Sequence, residues 1–134
     1  MISDLDFEKR LKSAREDVEL SLGFNHYVRA KMKSQNLNAV ALAEKTRLSE
    51  ATIQRALSPS NNPSDLRLEI VIRVALVLRV DSIMLDNFIR MAGKCFSSVS
   101  LGYHLFYLNA YDMDLSDALD WMEHLEAKRL LPKC

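Results

Sequence analysis

Glycine and proline, the residues that interrupt a helix most strongly, number only three each in 134 positions. Between them, apolar residues recur at three- and four-residue steps, and no stretch alternates apolar and polar positions long enough to make a strand. A chain punctuated this sparsely is expected to be all-α, with the Gly and Pro at joints. Phe7, Leu11, Ala14, Val18 and Leu22 mark a first amphipathic helix, with Ser3 as its N-cap and Gly23 closing it in a left-handed conformation. Phe24, Tyr27, Val28 and Met32 give one face to a helix running to about residue 36. A short helix follows from Ala39 to about Lys45, with Leu42 and Ala43 inward. Ser49 caps another over 50–57, with Ile53, Ala56 and Leu57 inward.

Residues 58–63 form a turn cluster around Pro59 and Pro63. From Pro63 or Ser64 a helix carries Leu66, Ile70, Val71, Val74, Ala75 and Leu78 on its face. A further helix runs from Ser82 to Ala92 and ends at Gly93. Beyond a loop over 94–100, an apolar helix holds Leu101, Tyr103, Leu105, Phe106, Tyr107 and Leu108. The last begins at Asp114 or Ser116 and is carried by Leu115, Leu119, Met122 and Leu125.

A composition of 49% hydrophobic and 27% charged residues is that of a globular domain and excludes a disordered chain. The densest apolar stretch, 66–80, carries Arg67, Glu69, Arg73 and Arg79, which argues against a membrane span. The segment from Met1 to Glu8 is acidic and has neither half of a secretory signal, so a cytoplasmic location is expected. Cys95 and Cys134 offer no CxxC pair or disulfide framework and are expected to be incidental thiols.

The helices at 39–45 and 50–57 are separated by Thr46-Arg47-Leu48-Ser49, the spacing of a helix-turn-helix. Ala43 is small where the two backbones must approach. The second helix of such a pair can project into a DNA major groove about 12 Å wide. From Leu37 to Pro63 the sequence resembles the phage-repressor/Cro (XRE) helix-turn-helix family without a gap. The resemblance rests on Leu42-Ala43-Glu44-Lys45, Leu48-Ser49, Thr52-Ile53, Arg55 and Asn62-Pro63. It is closer still to the antidote (antitoxin) branch, through Arg55-Ala56-Leu57-Ser58-Pro59-Ser60-Asn61-Asn62-Pro63-Ser64. It covers residues 24–80. Two positions depart from the family: Arg47 stands in the turn where Gly is usual, and Ala39 stands where Gln opens the first motif helix.

The resemblance implies a lambda-repressor-like helix-turn-helix bundle over 24–80, extended by an N-terminal helix (1–23) and a C-terminal helical region (81–134). It also implies that Glu50, Ala51, Gln54 and Arg55 read bases. The chemistry suits that role, since Arg pairs with guanine, Gln with adenine and Glu with cytosine, while Ala51 offers a methyl group to thymine. Ser49 and Thr52 are expected on phosphates, with Arg29, Lys31, Lys33, Lys45 and Arg47 as nearby cations for the DNA backbone.

Nothing in the sequence assembles a catalytic centre, so no enzyme, cofactor or metal is expected. His26, His104 and His124 are scattered, and Gly23, Gly93 and Gly102 make no phosphate loop. The Asp112, Asp114, Asp117 and Asp120 cluster is read as helix-start chemistry. One module reads few base pairs alone, so a homodimer on a palindromic double-stranded operator is expected. Leu101, Tyr103, Phe106, Tyr107 and Trp121 are its candidate interface, and the N-terminal helix is a second candidate. The function expected is a dimeric, sequence-specific repressor of its own or neighbouring genes. The alternative is an antitoxin whose flanking helices bind a toxin. Zero net charge does not oppose DNA binding, because residues 24–80 hold nine Lys and Arg against four Asp and Glu, between two acidic flanks.

Overall fold

The computed structural model describes residues 2–21, 23–58, 66–96, 99–110 and 113–131. Among them all regular structure is helical. The order is α1 (Asp4–Ser21), α2 (Phe24–Ser34), α3 (Ala39–Thr46), α4 (Glu50–Leu57), α5 (Leu68–Leu78), α6 (Ser82–Met91), α7 (Leu101–Asn109) and α8 (Leu115–Ala127).

Short polar side chains open five of these helices by accepting an otherwise unbonded amide. Ser3 accepts from Asp6 at 3.1 Å and Asn38 from Ala41 at 2.8 Å. Ser49 accepts from Thr52 and Ser100 from Tyr103, each at 3.1 Å, and Asp114 from Asp117 at 3.0 Å. The helix ends share a second device. Asn36, Arg47, Arg79, Gly93 and Arg129 all lie in the left-handed region, at φ 54 to 71°. The amide after each reaches back five residues: Leu37 to Met32, Leu48 to Ala43, Val80 to Ala75, Lys94 to Ile89 and Leu130 to Leu125, at 2.9 to 3.1 Å. These are Schellman closures, four of them made without glycine.

Gly23 does not close α1 in the left-handed helical conformation. It precedes α2 at φ 111°, ψ 160°, a region that is essentially glycine's alone. The expected start of α5 at Pro63 or Ser64 falls outside the described residues. The helix itself begins at Leu68, after Arg67 in extended conformation. Gly102 is not a joint either, but the second residue of α7.

The core is one continuous cluster whose buried members run from Phe24 to Leu125. At its centre is α5, whose buried residues include Val71, Ile72, Val74 and Leu78. Phe88 of α6 packs its ring against Phe24 at 5.1 Å and Tyr27 at 5.6 Å. The apolar side of α1 is handled differently. Leu5, Phe7 and Val18 are 66%, 55% and 58% exposed, Ala14 is exposed, and Leu11 is half-buried. The protomer therefore leaves most of that face uncovered.

Among the described residues no helix is long and apolar enough to cross a membrane. Cys95 is not a free thiol but disulfide-bonded, with its partner sulfur outside the described residues. Spacing could not reveal this, because disulfide formation depends on tertiary approach of the two Cβ atoms.

A candidate nucleic-acid interface on α3 and α4

The turn between α3 and α4 is built from local chemistry. Thr46 is fully buried, and its hydroxyl donates back to Leu42 O at 2.7 Å and Ala43 O at 3.0 Å. Arg47 then turns left-handed at φ 58°, ψ 33°, with its amide donating to Glu44 O. This is the conformation for which a glycine would be preferred. Leu48 is half-buried against the core, and Ser49 opens α4 two residues after the turn.

Helix α4 is sharply two-sided. Ile53, Ala56 and Leu57 are buried, at 0%, 7% and 5% exposure. Glu50, Ala51, Gln54 and Arg55 are all exposed, so the four expected base-reading residues share the outer surface. Ser49 is exposed and Thr52 half-buried, with their hydroxyl oxygens 2.7 Å apart. Lys45 and Lys33 are exposed. Lys31 is half-buried, its ammonium 5.7 Å from the centroid of the Tyr27 ring.

Arg29 and Arg47 have intramolecular partners. The Arg29 guanidinium donates to Leu57 O at the end of α4, and the Asn25 amide donates to Ser58 O at 3.0 Å. These donors tie α2 to the C-terminal end of α4, where a cation is electrostatically favoured. Arg47 donates to Asp120 at 2.6 Å and Glu123 at 3.1 Å, and to Ser116 O and Oγ at 3.3 and 3.2 Å. Its hydrogen bonds to Asp120 first, and then to Glu123, raise the pKa of its guanidinium. Arginine is protonated in any case, so the bonds matter here for position rather than for charge.

A second arginine deepens the contact with α8. Arg73 of α5 is 6% exposed. It grips the Glu126 carboxylate with two parallel hydrogen bonds, of 3.1 and 3.0 Å, and donates to Thr46 O at 3.0 Å. Glu123 lies 4.0 Å from Arg73 and so stands between the two arginines. Sequence reading missed Arg73, Asn25, Glu123 and Glu126, and placed Asp120 with the helix-start carboxylates. The available signal was the three-residue step of Asp120, Glu123 and Glu126, which puts acids along one side of a helix. Asp114 and Asp117 do sit at the start of α8, as expected.

The residues expected at a dimer interface divide. Leu101 is 63% exposed and Tyr103 half-buried, with its ring 5.2 Å from Phe96. Phe106 is fully buried within the protomer, its ring 5.7 Å from Phe96, so one chain already accounts for its burial. Trp121 is half-buried and donates its indole N–H to Leu105 O at 3.2 Å. The Tyr107 side chain lies outside the described residues. In comparison with known proteins, the chain matches no family model, no curated protein and no solved structure.

Proposed function

We propose that this protein is a sequence-specific DNA-binding regulator, a repressor of its own or neighbouring genes in the cytoplasm. The observation that carries the proposal is the two-sidedness of α4. Three residues anchor it, while Glu50, Ala51, Gln54 and Arg55 lie on its exposed side, immediately after a capped turn. An exposed helix edge with Gln and Arg in successive positions has the donors and acceptors that major-groove base edges require. The residue pattern from Leu37 to Pro63 supports a lambda-repressor-like reading of this unit. Repression would act by occlusion, with a two-fold dimer filling successive major grooves of a palindromic operator.

The uncovered apolar residues of α1 favour that helix as the site of self-association, in preference to Phe106 and Trp121, which are engaged within the protomer. The same surface suits a toxin, and with the residue pattern over 55–64 this favours the antitoxin alternative.

Selection of bound sequences from random duplex DNA, repeated with Gln54→Ala and Arg55→Ala, tests the reading. Loss of Arg55 should cost roughly 1–3 kcal/mol and relax preference at one base position. Unchanged selection and affinity in folded variants would remove α4 from the interface. Sedimentation of Phe7→Glu beside the wild type tests the role of α1: a dimer should become a monomer, and a wild-type monomer both free and on DNA would end that assignment.

A further inference from the structure

The two arginines beside the α3–α4 turn are held by α8 in different ways. Arg73 and Glu126 are largely withdrawn from water and, with buried Leu119, Met122 and Leu125, fix α8 to the body. The pair around Arg47 is wet by comparison: the side chains of Asp120 and Glu123 are 60% and 46% exposed, and that of Arg47 is 35% exposed. An ion pair this exposed is not what holds α8 in place. What it does is place two carboxylates on a guanidinium two residues before the N-cap of α4.

Carboxylate and phosphate are alternative ligands for the same guanidinium geometry. We propose that the acidic face of α8 is an electrostatic brake on DNA binding, in which Asp120 and Glu123 occupy Arg47 in place of a backbone phosphate. The proposal rests on the DNA-binding reading given above. The brake can be exchanged without unfolding anything: Glu123 also lies 4.0 Å from Arg73, but Arg73 keeps both bonds to Glu126 and its bond to Thr46 O. A duplex that takes Arg47 must displace Asp120 and Glu123. The protein thus holds its affinity for arbitrary DNA below what the cations on α2 to α4 would give.

The test measures fluorescence anisotropy of a labelled random-sequence duplex over a range of salt. Asp120→Asn/Glu123→Gln is compared with wild type, and the same two substitutions are compared in an Arg47→Gln background. Freeing Arg47 for one phosphate should steepen the log–log salt dependence by about 0.9 and tighten binding at 0.1 M salt by about fivefold or more. In the Arg47→Gln background the two acid substitutions should give little of that gain. An equal gain in both backgrounds would mean a general change of charge and would overturn the brake, as would no gain at all. Asp120→Asn alone is the milder variant if the double substitution lowers helicity by circular dichroism, and half or more of the gain is expected from it. If wild type binds duplex and loses affinity with Arg55→Ala, but the acid variants behave as wild type, only the brake fails. If none of these proteins binds duplex even at low salt, the DNA-binding reading fails with it.

Discussion

Removing the carboxylate of Glu126 should destabilise the whole fold, and the structure sets the scale. Arg73 keeps only 7% of its side chain exposed and donates to both Glu126 oxygens at 3.0 to 3.1 Å. Deleting one member of a fully buried pair costs about 3–5 kcal/mol, because the remaining charge is left in a poor solvent. Two features reduce that figure here. Glu126 is 27% exposed, so part of its charge was already shared with water, and Glu123 stands 4.0 Å from Arg73 as a second anion. Glu126→Ala should therefore lose about 2–3 kcal/mol. Arg73→Met should lose less, about 1–2 kcal/mol, since the orphaned Glu126 can turn to solvent, while Thr46 O loses a donor. The double variant Arg73→Met/Glu126→Ala removes both members of the pair together and should recover about 1 kcal/mol or more against the sum of the singles. Urea unfolding followed by far-ultraviolet circular dichroism measures all three against wild type. A Glu126→Ala variant within 0.5 kcal/mol of wild type, or strict additivity in the double variant, would refute the claim that this pair anchors α8.

Three further substitutions test how the helices end and meet. A Cβ at Gly102 would stand 1.9 Å from Leu130 O, and backbone cannot yield as a side-chain tip does. Gly102→Ala should therefore cost about 1–3 kcal/mol by overpacking, outweighing a helix-propensity gain of about 1 kcal/mol. Faster trypsin cleavage after Lys128 and Arg129 would report the loosened segment, and unchanged stability would mean that Leu130 does not pack there. Arg129 sits at φ 54° in an exposed closure, so Arg129→Gly should gain about 0.5 kcal/mol, after allowing for the greater freedom of the unfolded chain. Thermal unfolding should show a higher midpoint, and a fall would mean that the left-handed turn is not strained. Arg47→Gly relieves the same backbone but surrenders the bonds to Asp120 and Glu123, so its gain should be smaller.

What could be read from the sequence follows the distance over which each interaction acts. The capping of α4 by Ser49 is decided within three residues, and the inward set of Ile53, Ala56 and Leu57 is decided within one turn. Both are legible in the chain itself. The left-handed Arg47 is legible only through the resemblance, which puts a glycine at that place in the turn. The closures at Arg79 and Arg129 were not legible, since a search for helix ends looks for glycine and these positions have none. Gly102 looked like a joint because nothing near it in sequence shows that the backbone of Leu130 passes over it. Phe106 looked like an interface aromatic because helix periodicity gives a face but not what covers it.

The charge pattern shows the same limit most clearly. Counted along the chain, residues 24–80 are cationic and residues 81–134 are acidic, which suggests a positive module beside a separate negative region. Electrostatic interaction falls off with distance in space, however, and α8 lies against the α3–α4 turn. The Arg47 counted toward the positive module meets Asp120 and Glu123 across 73 and 76 residues of chain. Arg73 meets Glu126 across 53. The field that a duplex would meet at the turn is consequently less positive than the local sequence suggests, while Lys33 and Lys45 remain exposed without an acid within four residues in the case of Lys33. On the DNA-binding reading proposed above, the first attraction to a duplex is therefore expected from residues other than Arg47, which is already bonded to Asp120 and Glu123.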